Sequence, residues 1–259
     1  MINDVPMAEK FERTYGLIGY PLTHSFSRDF FNQKFASEGI PARYLNFELP
    51  DIGDLMEVIA EYPDLAGLNV TIPYKEQVLP YLAEIDDDAR EIGAVNVIKF
   101  VRKVGNDIRM KGYNSDVIGF SDSIKPYLKA QHTKALILGS GGAAKAVRRG
   151  LLNLGVEPVY VSRKPREGAI TYADLTPEVM ASHKVIVNTT PLGMYPHVDE
   201  CADIPYDLLT SEHLCYDLIY NPDVTLFLKK SAERGAVTKN GLEMLLLQAF
   251  ASWRIWEEL

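Results

Sequence analysis

The chain has 259 residues, 47% of them apolar and 24% charged, with a formal charge of −8 at pH 7. That length suits two compact units or one large one with a full core, and the composition excludes long disorder and collagen-like repeats. The acidic balance repels nucleic acid and anionic membranes, so a bound anion has to be held by a local basic site.

Residues 1–14 lack the apolar core of a signal peptide and read as a frayed extension. From Tyr15 onward, short β-like runs alternate with longer helical ones, which predicts an α/β fold. Strands are expected at 15–19, 43–49 and 67–70, and helices at 27–38 and 51–61, with Pro73 as a breaker. Strands 94–101 and 108–113 flank Lys103-Val104-Gly105-Asn106-Asp107, whose Gly-Asn-Asp is turn chemistry; an antiparallel hairpin there mixes the first sheet. Helix 117–129 leads to a polar seam at 131–134, and a second series follows: strand 135–138, helix 143–154, and strands 158–161, 185–187 and 214–218. The final helix, from about Leu242, is expected to return to the first domain. The domains are thus expected at 1–116 joined by 242–259, a mixed-sheet substrate and catalytic domain, and at 117–241, a Rossmann-type domain.

No apolar run approaches the roughly 18 residues that span a bilayer, and 244–256 is interrupted by Gln248, Ser252 and Arg254. Cys201 and Cys215 form no Cys-x-x-Cys pair and have no nearby His cluster, so neither a metal site nor a disulfide framework is expected. A reducing, cytoplasmic compartment fits, with a small-molecule partner rather than nucleic acid or membrane.

Gly139-Ser140-Gly141-Gly142-Ala143-Ala144 follows a four-residue apolar strand and opens a helix, matching G-x-G-x-x-A in its proper context. Gly139 permits the tight turn, Gly141 lets backbone approach a pyrophosphate, and Ala144 lets helix and strand pack closely. The helix N-terminus then offers free N–H groups to a phosphate. About 20 residues further on, where an NAD enzyme presents an acid to the ribose, stands Ser162-Arg163-Lys164-Pro165-Arg166. A hydroxyl and cations at that place suit a 2′-phosphate, so NADP is expected; the plainer alternative is a solvated charged turn.

Three segments of the first domain carry polar residues that folding alone does not require. Ser25 and Ser27 follow a strand, and either can simply cap the next helix. Asn69, Thr71 and Lys75 stand at a strand's carboxyl end, the usual address of ligand groups in open α/β sheets, although Lys75 also reads as a surface cation. Asp116 stands between a strand and a helix, where an N-cap is the alternative.

These segments, in this order, resemble the signature blocks of the shikimate dehydrogenase family. The resemblance runs from about Tyr15 to the C-terminus: 19–27, the Asn69–Lys75 block, Gly93-Ala94-Val95-Asn96, 113–116, 188–194, 217–222, and Gly241 to Leu245 with Gln248. It implies Lys75 and Asp116 as the catalytic pair, and Ser25, Ser27, Thr71, Asn96, Asp116 and Gln248 as substrate contacts, with Tyr220 beside them. It further implies NADP on Gly139, Ser140, Gly141, Gly142, Ala143, Ala144, Ser162, Arg163 and Lys164, with Thr189, Leu218 and Gly241 nearby. The family's reaction interconverts shikimate and 3-dehydroshikimate; the alternatives are a relative with relaxed choice of quinate or cofactor and a non-catalytic NADP-binding member, and a monomer or homodimer is expected. The chain departs from the family's usual residues at Arg28 (Pro), Phe31 (His), Val97 (Thr) and Ser115 (Thr), and Ala249-Phe250 replaces smaller residues. None of these removes a proposed catalytic group.

Overall fold

A computed structural model describes residues 11–22, 26–102 and 108–258. Ser25, expected to contact the substrate, the hairpin turn 103–107 and most of the expected N-terminal extension lie outside the described residues. Contacts divide the chain into two compact units, residues 1–114 with 252–259 and residues 115–251.

The first unit runs β1 (Arg13–Gly19), α1 (Phe26–Glu38), β2 (Ala42–Glu48), α2 (Leu55–Glu61), β3 (Leu65–Val70), α3 (Tyr74–Gln77), β4 (Glu84–Ile85), α4 (Asp87–Ile92), β5 (Val97–Arg102) and β6 (Ile108–Tyr113). Its sheet has the order β2-β1-β3-β5-β6-β4. β1 pairs in parallel with β2 and β3, whereas β5 runs antiparallel to both β3 and β6, so the sheet is mixed as the hairpin requires. Element ends shift by a few residues, as at α2, which begins at Leu55, and β3, which begins at Leu65, and two of the shifts have a clear local cause. Arg13 and Thr14 belong to β1 rather than to a frayed end, because the buried Thr14 hydroxyl donates to Asp64 Oδ2 at 2.6 Å and accepts from Arg43 Nε at 2.9 Å. β5 begins at Val97 rather than at 94, since the Val95 amide is spent on the Lys75 carbonyl at 2.7 Å.

Period-two alternation gives this sheet two buried faces. Ile18, Phe47, Leu68, Val70, Ile98 and Phe100 enter one apolar cluster with Leu55, Val58, Tyr74 and Val78. On the other face Tyr15 and Tyr44 meet the rings of Phe31, Phe35 and Trp256. Each such buried side chain contributes on the order of 1.5–3 kcal/mol.

The second unit contains α5 (Ser115–Ile124), β7 (Lys134–Leu138), α6 (Gly142–Asn153), β8 (Glu157–Ser162), β9 (Ala169–Thr171), α7 (Pro177–Ser182), β10 (Val185–Asn188), β11 (Leu214–Asp217), α8 (Leu226–Glu233) and β12 (Val237–Lys239). All pairings are parallel, in the order β12-β11-β10-β7-β8-β9. Counted from β7, this is the doubly wound 3-2-1-4-5-6 order, with the switch point between β7 and β10. Ala135, Ile137, Val185 and Val187 pack with Phe120, Ala144 and Val147, while Leu136, Leu138 and Ile186 pack with Met180 and Phe227.

The last helix, α9 (Leu242–Glu257), counts with the second unit through Ala251 and with the first from Ser252. The expectation placed all of 242–259 and residues 115–116 with the first domain. The difference has a local cause. Met244 is buried in the second unit's apolar cluster, and Gly119 of α5 lies against the Met244 carbonyl and Gln248. Only the end of α9, with Trp253 and Trp256 against Tyr15, joins the first unit's aromatic face.

Candidate active site

In the second unit, β7 delivers the chain to Gly139, whose φ of +107° is one that side chains rarely adopt. A Cβ there would lie 2.8 Å from Thr189 Oγ1, so the turn requires glycine on both counts. The Gly139 amide donates to the Val161 carbonyl at 3.1 Å, tying the turn to β8. Gly141 caps α6 with extended backbone and no side-chain cap bond, and a Cβ at this position would meet open space. The first amides of α6 therefore face outward with no hydroxyl or carboxylate from their own cap, as an anion site at a helix start requires. Ala144 is fully buried in the cluster beneath.

The neighbouring strand ends are organised by one buried network. Thr189 donates through both N and Oγ1 to the Leu138 carbonyl, at 3.0 and 2.7 Å. Asn188 Oδ1 accepts from the Thr190 amide and hydroxyl, and Asn188 Nδ2 donates to Asp217 Oδ1 at 3.0 Å. Asp217 also accepts from the Ile219 amide at 3.1 Å and the Thr225 hydroxyl at 2.6 Å. Burial pushes the Asp217 carboxyl up to about 6, against the lowering effect of these three donors. Gly241 sits against Leu218, with its amide donating to the Ile219 carbonyl at 3.0 Å. Thr189, Leu218 and Gly241, expected beside the cofactor, thus share the carboxyl end of this sheet. Asn188 and Asp217 open blocks 188–194 and 217–222 of the resemblance but carried no expected role, and Thr225 was not singled out; the signal for the network was a pair of polar residues, Asn and Asp, at the ends of apolar strands.

At the end of β8, Arg163 and Lys164 are exposed, and the Ser162 hydroxyl donates to the Lys164 carbonyl, which closes the turn. Arg166 lies over the Tyr160 ring, 5.8 Å from its centroid. The basic turn therefore presents guanidinium groups beside an aromatic surface at the edge of the glycine loop's sheet.

In the same unit, Asp116 occupies the first turn of α5, which begins at Ser115, so it is not that helix's cap. It is only 8% exposed. Gln248 accepts from the Ser115 hydroxyl at 3.4 Å and donates to the Leu245 carbonyl at 3.0 Å, which brings it beside the start of α5. Tyr220, in the loop after β11, is exposed.

In the first unit, Thr71, Lys75 and Asn96 gather at the carboxyl end of β3. The Thr71 amide donates to Ile18, the Tyr74 amide to Thr71, the Val95 amide to Lys75 and the Val70 amide to Asn96, all at 2.7–2.9 Å. Lys75 is half-buried on α3, and Asn96 is buried. Ser27 lies within the first turn of α1 rather than capping it, and its hydroxyl hydrogen-bonds the buried Tyr44 phenol. Tyr44 donates to Asn69 Oδ1 at 2.8 Å, and Asn69 Nδ2 reaches Ser252 Oγ at 3.0 Å. Asn69 stands at the strand end where ligand groups are expected, but Tyr44 and Ser252 were not expected as site residues: Tyr44 reads as one more core aromatic, and nothing local marks Ser252. Arg28, an unusual residue for its block, has a 52% exposed side chain and pairs with Asp29 at 3.3 Å.

Lys75 thus belongs to the first unit and Asp116 to the second. Among the described residues no group of three His, Cys, Asp or Glu side chains is placed to hold a metal, and no helix is long and apolar enough to cross a membrane.

A doubly wound parallel sheet with a glycine turn at its switch point, joined in one chain to a mixed-sheet unit that gathers polar groups at strand ends, defines a two-domain dinucleotide-dependent oxidoreductase. Residues 17–98 match the shikimate dehydrogenase substrate binding domain. The shikimate dehydrogenase (NADP(+)) of Methanosphaera stadtmanae is 36% identical, over 93% of this chain and 90% of that protein. The crystal structure of shikimate dehydrogenase from Aquifex aeolicus is 34% identical and superposes with a TM-score of 0.81, over 99% of this chain and 94% of that one. Quinate dehydrogenase from Corynebacterium glutamicum, solved in complex with NAD, is 26% identical with a TM-score of 0.83, over 96% and 94%. The chain belongs to the shikimate dehydrogenase family.

Proposed function

We infer that this chain is an NADP-dependent dehydrogenase that interconverts shikimate and 3-dehydroshikimate, a step toward aromatic amino acids, in the cytoplasm. The observation that carries this is Lys75, held at the carboxyl end of β3 through the Val95 amide, in a chain similar over 93% of its length to a shikimate dehydrogenase that uses NADP(+).

NADP, when bound, supplies the hydride acceptor. The chain's own part is to hold the alcohol and move its proton. We assign proton transfer to Lys75 and Asp116 as a unit: the pair takes the hydroxyl proton as hydride leaves the carbinol carbon, and returns it to the developing alkoxide in the reverse direction. The carboxylate orients the ammonium, and the cation stabilises the negative oxygen. Ser25 and Ser27 donate to the substrate carboxylate, and Thr71, Asn96 and Gln248 serve the ring hydroxyls, with Tyr220 beside them. A site built to bond a hydroxyl rejects the deoxy analogue by roughly 10⁴-fold, because its own polar groups are left unpaired. The amides of Gly139, Ser140, Gly141, Gly142, Ala143 and Ala144 receive the pyrophosphate, and Ser162, Arg163 and Lys164 the 2′-phosphate, with Thr189, Leu218 and Gly241 along the cofactor.

The likeness to a quinate dehydrogenase solved with NAD supports a second reading, a relative with wider substrate or cofactor choice. The basic turn after β8, which lacks an acid for the ribose, opposes NAD. Spectrophotometric rates with shikimate and quinate, each with NADP and NAD, separate the two. The expected result is fastest turnover with shikimate and NADP; comparable rates with quinate or NAD favour the second reading, and no reduction with any pair removes both. The protein is expected to act as a monomer or homodimer, which sedimentation at assay concentration resolves.

A further inference from the structure

The first unit's sheet carries a group of cations that the proposed chemistry does not use. In the β5–β6 pair, Lys99 stands directly opposite Lys111, and Val101 opposite Arg109; β4 places Glu84 beside Lys111. With Met110, Tyr113 and Glu258, these residues line a cavity of about 280 Å³. Like charges directly opposite one another weaken a strand pair, so folding alone disfavours this register of side chains.

Lys99 is engaged in the fold. Its ammonium donates to the carbonyl of Ile255, at 2.8 Å, and to that of Glu258, oxygens that the end of a helix leaves unpaired. Burial holds its pKa below the usual lysine range, and Lys111 lowers it further while Glu258 and Glu257 oppose the shift. Lys111 is placed differently. Its half-buried ammonium lies 5.3 Å from the Tyr113 ring centroid, and no carboxylate among the described residues pairs with it, although Glu84 and Glu258 line the same cavity.

The geometry points to a binding site for a small oxyanion, of phosphate or dicarboxylate size, held between Lys111 and Arg109 with Lys99 as the third charge. The cavity is near the roughly 300 Å³ at which small-molecule pockets begin. An anion there would relieve the Lys99–Lys111 repulsion and satisfy a cation that protein groups leave over. Among the described residues that line the cavity, three cations stand against two carboxylates.

The test is isothermal titration of the full chain at low ionic strength, saturated with NADP, using inorganic phosphate in one arm and malonate in the other. Expected is saturable binding in at least one arm, the tighter arm naming the ligand class. Lys111→Gln should weaken it by about tenfold or more and Lys111→Arg restore it, as for a charge-assisted bond. Arg163→Ala should leave it unchanged; loss in that variant would move the binding to the cofactor side and overturn the site. Absence of saturation in both arms up to about 50 mM, or equal binding by Lys111→Gln, also overturns it. Arg109→Gln gives the same readout if Lys111→Gln does not fold.

Discussion

Asp217 has no exposed surface, and every bond it makes comes from a donor, yet burial outweighs them and raises its carboxyl to about 6. The native state therefore binds this proton more tightly than the unfolded chain, whose Asp titrates near 3.9 on the ordinary scale, roughly. Stability from this group is fully present below about pH 4 and is lost as the pH rises through about 6, by an amount on the order of 3 kcal/mol. Denaturant unfolding between about pH 4 and pH 7.5 should show a larger fall for the wild type than for Asp217→Asn, which cannot titrate there. Parallel falls would mean that Asp217 ionises as an ordinary carboxyl. At the same scale, Arg163→Ala should weaken NADP by about tenfold or more and NAD by less than about threefold, since only one of them carries the 2′-phosphate. Equal losses in direct binding measurements would show that Arg163 does not read that group.

At the level of elements, the long runs were legible and the short ones were not. The apolar strands β7, β10 and β11 and the helices α1, α6 and α9 announce themselves by pattern, because burial imposes a period on many residues at once. α3 has four residues and α4 has six, too few for any period, and they exist through local bonds such as Val78 N to the Tyr74 carbonyl and the Asp86 cap of α4. The site was legible where chemistry sits in contiguous blocks, as at 69–75 and 139–144. It was not legible where the partners are far apart in the chain, as with Tyr44 and Ser252, which bond Asn69 from outside its block. The division of α9 between two units was hidden for the same reason, since helical periodicity does not say which sheet a face covers. Gly119 shows how tightly that helix is set: a Cβ would lie 2.7 Å from the Met244 carbonyl oxygen and 2.9 Å from the Gln248 amide nitrogen. Gly119→Ala should cost about 1–3 kcal/mol by urea unfolding and raise the KM for shikimate by displacing Gln248. An unchanged midpoint and KM would show that α5 and α9 tolerate a wider spacing.

For the whole molecule, the net charge of −8 makes every anion site a local achievement, dependent on helix amides and a few basic side chains. The proposed reaction asks more than binding, because the assignment made above gives proton transfer jointly to Lys75, which counts with the first unit, and Asp116, which counts with the second. Groups that act as a unit lose their effect together, so removing the second after the first costs little more. The decisive measurement is kcat/KM for shikimate oxidation by NADP in the wild type, Lys75→Ala, Asp116→Ala and the double variant. Expected is a fall of roughly 10³-fold or more in each single variant, carried mainly by kcat, and a double variant no worse than about threefold below the poorer single. Near-normal turnover without Lys75, or losses in the double variant that multiply those of the singles, would contradict a shared role for the two residues.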